Sequence, residues 1–201
     1  LPAVVENRPG ASGIIATEAM LKAPADGYTI LASTTGMVWQ TRVMYRKLPF
    51  DLAKDVTPIT IFPSGALVVA VAERTGVRNF AELVDYAKKT RCAMGSYAQA
   101  SFPHVFAESV NRDYGGQVQT VQYKGESPMW VEMGSGQIEI AVGSYQAFAT
   151  VKDKGVRPIA ATGMLRSPRL PDVPTLVEQG MKSTIARLEG GIALSANSSV
   201  P

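Results

Sequence analysis

The feature that most constrains this chain is a repeated change of period. A short apolar run gives way to a few small polar or glycine residues, and then to apolar residues spaced three and four apart. An extended run followed by a 3.6-residue period reads as strand followed by helix. The first instance is Val4-Val5, read as a strand, then the turn Pro9-Gly10-Ala11-Ser12-Gly13. A helix follows over 14–23, with Ile15, Ala16, Ala19, Met20 and Ala23 as its apolar positions. A glycine-rich turn at a helix start leaves amides without intrahelical partners, and the helix dipole favours an anion there. Such a geometry binds without needing a catalytic side chain.

The alternation continues, which predicts an α/β protein with parallel strands. Segments 28–32, 56–61 and 66–71 read as strands, the last apolar enough for burial on both faces. Asn79 starts a helix whose Phe80, Leu83, Val84 and Ala87 share one face, and Asn79 with Glu82 forms a capping pair. A strand at 92–96 runs into a polar loop at 97–102, and Pro103 opens a helix to about Asn111. A strand at 118–123 precedes Lys124-Gly125-Glu126 and a helix capped by Ser127, with Pro128 behind it. Gly134-Ser135-Gly136 breaks that helix. Ile138, Ile140 and Val142 alternate in a strand ending at Gly143-Ser144, and a helix runs from Tyr145 to Gly155. A strand spans 156–162, the proline-rich segment 166–174 is irregular, and 175–180 makes one or two helical turns. Small polar or glycine loops therefore close strands at Gly10–Gly13, Ser96–Ser101, Tyr123–Ser127 and Gly143-Ser144. In α/β sheets such strand ends are where ligands bind.

Composition narrows the function. The 201 residues are 46% apolar and 18% charged, with a net charge of +3 and a pI near 9.0. The basic residues are scattered, so no nucleic-acid stripe forms; a mild positive charge suits a small anion. No apolar run reaches the ~18 residues of a membrane span. Cys92 is the single cysteine, which excludes an internal disulfide and reads as a small buried residue. His104 is the single histidine, so a histidine-cluster metal site is excluded and no metal or cofactor is expected. The chain shows no secretory leader; it opens at Leu1 and stops at Val200-Pro201, and both ends read as cut from something longer.

Several motifs then occur in a fixed order. They are Val5-Glu6-Asn7-Arg8-Pro9-Gly10-Ala11-Ser12-Gly13; Pro24-Ala25-Asp26-Gly27-Tyr28-Thr29; Lys47-Leu48-Pro49-Phe50-Asp51 with Lys54-Asp55; Tyr123-Lys124-Gly125; Gly136-Gln137-Ile138-Glu139-Ile140; and Arg166-Ser167-Pro168 followed by Leu170-Pro171-Asp172-Val173-Pro174-Thr175. In that order and spacing the chain resembles the periplasmic substrate-binding receptors of tripartite tricarboxylate transporters, the Bug or TctC-like proteins. The resemblance implies a two-lobed, periplasmic-binding-protein-like (type II) clamshell that closes on a small carboxylate and delivers it to integral-membrane transporter subunits. It implies a first lobe from 1–72 plus 165–201, incomplete here, and a second lobe from 73–164. About a third of a typical receptor is expected outside this chain, including the first strand with its own glycine-rich loop and the C-terminal helices.

By position, the resemblance assigns ligand contact to Ser33, Thr34 and Thr35; to Gln99, Ala100, Ser101 and His104; to Tyr123 and Lys124; and to Gly143 and Ser144. Two departures stand out. Many members carry Asp and Asn where this chain has Gly143 and Ser144, and loss of an acid that can face an ammonium argues against an amino-acid solute. The loop Tyr97-Ala98-Gln99-Ala100-Ser101 lacks the glycines common there.

Rival readings of the same residues are structural. Asn7 and Arg8 fix a turn. Ser101 caps a helix, His104 lies in its first turn, Lys124 is a solvated loop charge, and Trp39 and Trp130 pack. Tyr123 suits a strand end as well as a ligand. Ser101 and His104 lack the orienting acid and nucleophile elbow of a hydrolase. The Gly10–Gly13 turn lacks the third glycine of a dinucleotide loop and the Lys-Ser/Thr of a P-loop. The expected function is therefore recognition without catalysis. Two alternatives from other classes are a small α/β hydrolase and the ligand-sensing domain of a transcription regulator.

Overall fold

The structure, a computed structural model, describes residues 2–201, apart from the side chains of Val38, Trp39 and Val43. The reading of Trp39 as a packing residue lies outside the described side chains. The chain divides into two compact units. The smaller comprises the chain up to Pro63 together with Gly191–Pro201, and the larger is Ser64–Gly190. The lobes expected from sequence had their borders at 72/73 and 164/165.

In the smaller unit a 3-10 turn, Ala11–Gly13, leads into α1 (Ile14–Lys22). β1 (Leu31–Thr34), β2 (Val56–Gly65) and β8 (Gly190–Asn197) form a three-stranded sheet in the order β1-β8-β2, and α2 (Met37–Met44) follows β1. β8 runs antiparallel to β1, pairing Leu31 with Ser195 and Thr34 with Ile192. Met20, Leu31 and Met37 form a small core. Pro58 and Pro63 lack an N–H to donate, and β2 accordingly lies at the sheet edge. Ile59, Ile61 and Phe62 on this strand are all more than half exposed.

The larger unit holds a five-stranded sheet, ordered β5-β4-β6-β3-β7. Its strands are β3 (Val68–Ala72), β4 (Cys92–Ser96), β5 (Val118–Gln122), β6 (Ile140–Gly143) and β7 (Val156–Ala161). All five residues of β3 are buried, and their alternation divides them between two cores. Val69 and Val71 pack with Leu83, Met94, Phe106 and Val142 on one face, where α3 (Phe80–Lys89) and α4 (Phe102–Tyr114) lie. Val68 and Ala70 pack with Met129, Trp130, Met133 and Phe148 on the other, covered by α5 (Glu126–Gly134) and the short α6 (Tyr145–Phe148). Trp130 is fully buried, and its ring meets that of Phe148 edge-on at 5.7 Å.

Several elements match the sequence reading closely. β4 has the expected bounds. Asn79 caps α3: its side-chain Oδ1 accepts from the Glu82 N–H at 2.9 Å, and the Glu82 carboxylate accepts in return from Asn79 Nδ2 and the Arg78 N–H. Phe80, Leu83, Val84 and Ala87 are all buried.

Other expectations are corrected. Val4 and Val5 are exposed and form no strand; no described strand offers them a ladder of backbone partners. β1 begins at Leu31 rather than Tyr28, because pairing with β8 starts there, and Tyr28 is 80% exposed. α5 is capped at Gly125, not Ser127; a proline is tolerated throughout a first turn, so Pro128 does not pin the start. Beyond Phe148 the expected helix loosens into turns, with Val151 N–H donating to Phe148 O and Lys154 N–H to Val151 O. The segment 175–180 is likewise a hydrogen-bonded turn rather than a helix. The sheet is mixed: β4 is parallel to β5 and β6, but β3 is antiparallel to β6 and β7. An apolar run buried on both faces can satisfy its backbone in either direction, so its sequence does not specify one.

Two outcomes follow from this packing. Asn79→Ala removes the cap of α3 and lowers stability by about 1 kcal/mol, read as the midpoint of urea unfolding. Burial, with Glu139 adding to it, pushes the Cys92 thiol from its ordinary 9.0 up to about 11. The unfolded chain therefore loses this proton near pH 9 while the folded chain keeps it, so stability drains away as pH rises from 9 toward 11. Alkylation of Cys92 by iodoacetamide at pH 8 is accordingly slow in the folded protein and rapid in urea.

Candidate functional site

Because β4, β5 and β6 are parallel, their C-terminal ends lie at one edge of the five-stranded sheet. Val68 at the start of β3 pairs with Gly143 and with Ala161, so the end of β7 reaches the same edge. This edge gathers Ser96–Ser101, Tyr123–Gly125 and Gly143–Ser144, three of the four loops picked out in the sequence. Several of their side-chain polar groups are already engaged with one another.

The β4–α4 loop is the most constrained. Ser96 and Ser101 are fully buried, with hydroxyl oxygens 3.0 Å apart, and the Ser96 hydroxyl lies 2.8 Å from Ala98 O. Ser101 occupies the N-cap position of α4, but its side chain makes no capping bond, because it turns to Ser96 instead. Ala100 has φ +55, a left-handed conformation unusual for a residue with a Cβ. It is held there by its N–H, which donates to His104 Nδ1 at 2.9 Å. The imidazole donor is then Nε2. Ser101 and His104 do not bond to each other, so the nucleophile–base pair weighed in the sequence does not form. Gln99 is exposed at the loop tip. Tyr97 is half-buried, and its hydroxyl is held strongly in the protonated form by desolvation and by the nearby Glu126 carboxylate.

The second and third loops are tied together by a residue that the sequence reading missed. Glu126, the first residue of α5, accepts through Oε1 from the Ser144 N–H and from Trp130 Nε1 (3.2 Å). Its Oε2 accepts from the Ser144 hydroxyl at 3.1 Å. That hydroxyl oxygen also caps α6, accepting from the Ala147 N–H. Gly143 explains how the carboxylate fits. A Cβ there would stand 2.1 Å from Glu126 Oε1 and 2.9 Å from Trp130 Nε1, so the position must be bare. Its φ is not in the left-handed range, and space rather than backbone conformation is what requires glycine. A glycine at the end of a strand with an acid after a Lys-Gly turn was the signal available, but only the fold puts the two together. Tyr123, like Tyr97 and Tyr145, packs against the core that holds Met129, Trp130 and Phe148, and desolvation with the Glu132 charge raises its hydroxyl above the ordinary range. Lys124 is exposed.

The remaining sequence-predicted residues lie in the smaller unit. Ser33 and Thr34 end β1, paired with Ala193 and Ile192, and the Thr35 N–H donates to Gly191 O. The Gly10–Gly13 turn faces a side chain: a Cβ at Gly13 would meet Met37 Sδ at 2.7 Å. Arg8 pairs with Glu6 at 2.7 Å. Among the described residues no cluster of three His, Cys, Asp or Glu could hold a metal ion, and no helix is long and apolar enough to cross a membrane.

Comparison with known proteins places this architecture. Residues 1–198 match the tripartite tricarboxylate transporter family receptor, and the chain belongs to that family. A UPF0065 protein of Bordetella bronchiseptica is 30% identical over 87% of the chain and 52% of its own length. Protein BugT of Bordetella pertussis is 26% identical over 92% of the chain and 58% of its length. The chain thus spans about half the length of the curated relatives it matches. Among solved structures, Rpa4515 of R. palustris with adipate superposes with a TM-score of 0.89 at 29% identity, covering 98% of this chain and 67% of that one. A periplasmic transporter structure reaches 0.90 at 28%, over 100% and 67%. The fold is that of periplasmic solute-binding proteins.

The strained loop generates a prediction. Ala100→Gly removes the left-handed penalty and leaves the thermal midpoint unchanged or higher. Ala100→Val, β-branched and buried, lowers stability by about 1–2 kcal/mol in calorimetry.

Proposed function

We propose that this chain is the recognition part of a periplasmic receptor that captures a small carboxylate and hands it to integral-membrane transporter subunits. The observation that carries this reading is the common edge of β4, β5 and β6, where the β4–α4, β5–α5 and β6–α6 loops come together and present backbone groups. Family membership and a relative solved with adipate support it. The chemistry is recognition alone: carboxylate oxygens take hydrogen bonds from loop donors, and no covalent bond is made or broken. Charge-assisted bonds of this kind contribute about 1.5–3 kcal/mol each. The donors in question are main-chain groups of the loops around Gln99 and Lys124, with His104 Nε2 and the Gln99 side-chain amide beside them; the Tyr123 N–H is committed to Ser96 O. The buried Ser101 hydroxyl acts through loop geometry, since it is committed to Ser96.

Isothermal calorimetry of the full-length protein against adipate, malate and a panel of aliphatic, aromatic and amino acids tests the proposal. Binding of at least one acid is expected, and silence across the panel overturns it. Gln99→Ala, at an exposed tip, weakens the acid that binds by about 2–10-fold while leaving the thermal midpoint in place. An unchanged affinity removes Gln99 from the site.

A further inference from the structure

Glu126 raises a question that the carboxylate-receptor reading does not answer: a negative charge stands among the loops proposed to hold an anion. It is half-buried, and among the described residues no Lys, Arg or His forms an ion pair with it. An ionised carboxylate offers about four acceptor positions. Three are filled, two on Oε1 and one on Oε2, so Oε2 keeps one acceptor position. The donors of Ser144, N–H and hydroxyl alike, are consumed. A solute carboxylate at Gly143–Ser144 would find no donor and a like charge.

We propose that Glu126 is the specificity-determining residue of this edge, that its Oε2 receives an ammonium or similar cationic N–H group of the solute, and that Gly143 is bare to admit it. The preferred solute is then a carboxylate that also carries an ammonium. Its acid end is held by the loops around Gln99 and Tyr123, and its amino group by Glu126. Three observations agree. The carboxylate is fixed by three hydrogen bonds, so no conformational search precedes binding. Among the described residues it has no counter-ion. A side chain at 143 would evict it, its Cβ lying 2.1 Å from Oε1. This inference rests on the receptor reading but is separable from it.

The test uses matched pairs differing only in an α-amino group, titrated by calorimetry into the full-length protein: succinate with aspartate, glutarate with glutamate, adipate with 2-aminoadipate, and hydrocinnamate with phenylalanine. The amino member of at least one pair should bind about tenfold tighter or better. Glu126→Gln, nearly isosteric, should bring that ratio to within about threefold while the des-amino acid binds at least as well as before. Gly143→Ala, which displaces the carboxylate sterically, should reproduce the loss of preference, and adding Glu126→Gln to it should change the ratio no further. Binding only of des-amino members, or a ratio unmoved by Glu126→Gln, overturns the inference and leaves Glu126 as a fastener of the 143–144 turn. Absence of binding by every compound overturns the receptor reading instead.

Discussion

Burial of β3 on both faces is the constraint from which the larger unit follows. Val68–Ala72 presents apolar side chains in both directions, so two layers of helix are needed to cover it. With α3 and α4 on one face and α5 and α6 on the other, the connections leave the sheet at the ends of its strands. The parallel strands β4, β5 and β6 send their three outgoing loops to the same edge. Packing thereby concentrates backbone polar groups where apolar surface ends, before any particular side chain is considered.

What those loops do with their donors is less expected. A reading of small polar residues at strand ends predicts a row of hydroxyls directed at a ligand. Ser96 and Ser101 instead bind each other, His104 orders the backbone at Ala100, and Ser144 is held by Glu126. The side chains fix the loops among themselves, and in the proposed receptor recognition then falls largely to main-chain groups. Loops held in this way lose little conformational freedom when they bind. The left-handed Ala100 belongs to the same economy: strain persists where surrounding bonds over-determine the backbone.

Legibility in the sequence depended on the range of the interaction. The α3 cap was readable because Asn79 and Glu82 are three residues apart, and β4 because its flanks are strong turn signals. The direction of β3 was not, since its apolar run fits either neighbour. Val4 and Val5 have the residue types of a strand and no partner among the described residues, which β propensity alone cannot reveal. The Ser127 cap failed for a local reason, as Pro128 is compatible with more than one helix start.

Glu126 shows the limit most clearly. From sequence, Gly143 reads as the loss of an acid, and so as evidence against a solute with an amino group. In the fold, the acid arrives from the start of α5 and holds Ser144, eighteen residues on, and glycine at 143 is the condition of its arrival. The chain's own residues determined the alternating elements, the family motifs and the strand-end loops, because periodicity and turn chemistry act over a few positions. Tertiary structure alone decided strand direction, which hydroxyls are spent internally, and where the carboxylate stands, because each depends on distances between segments that no local pattern encodes.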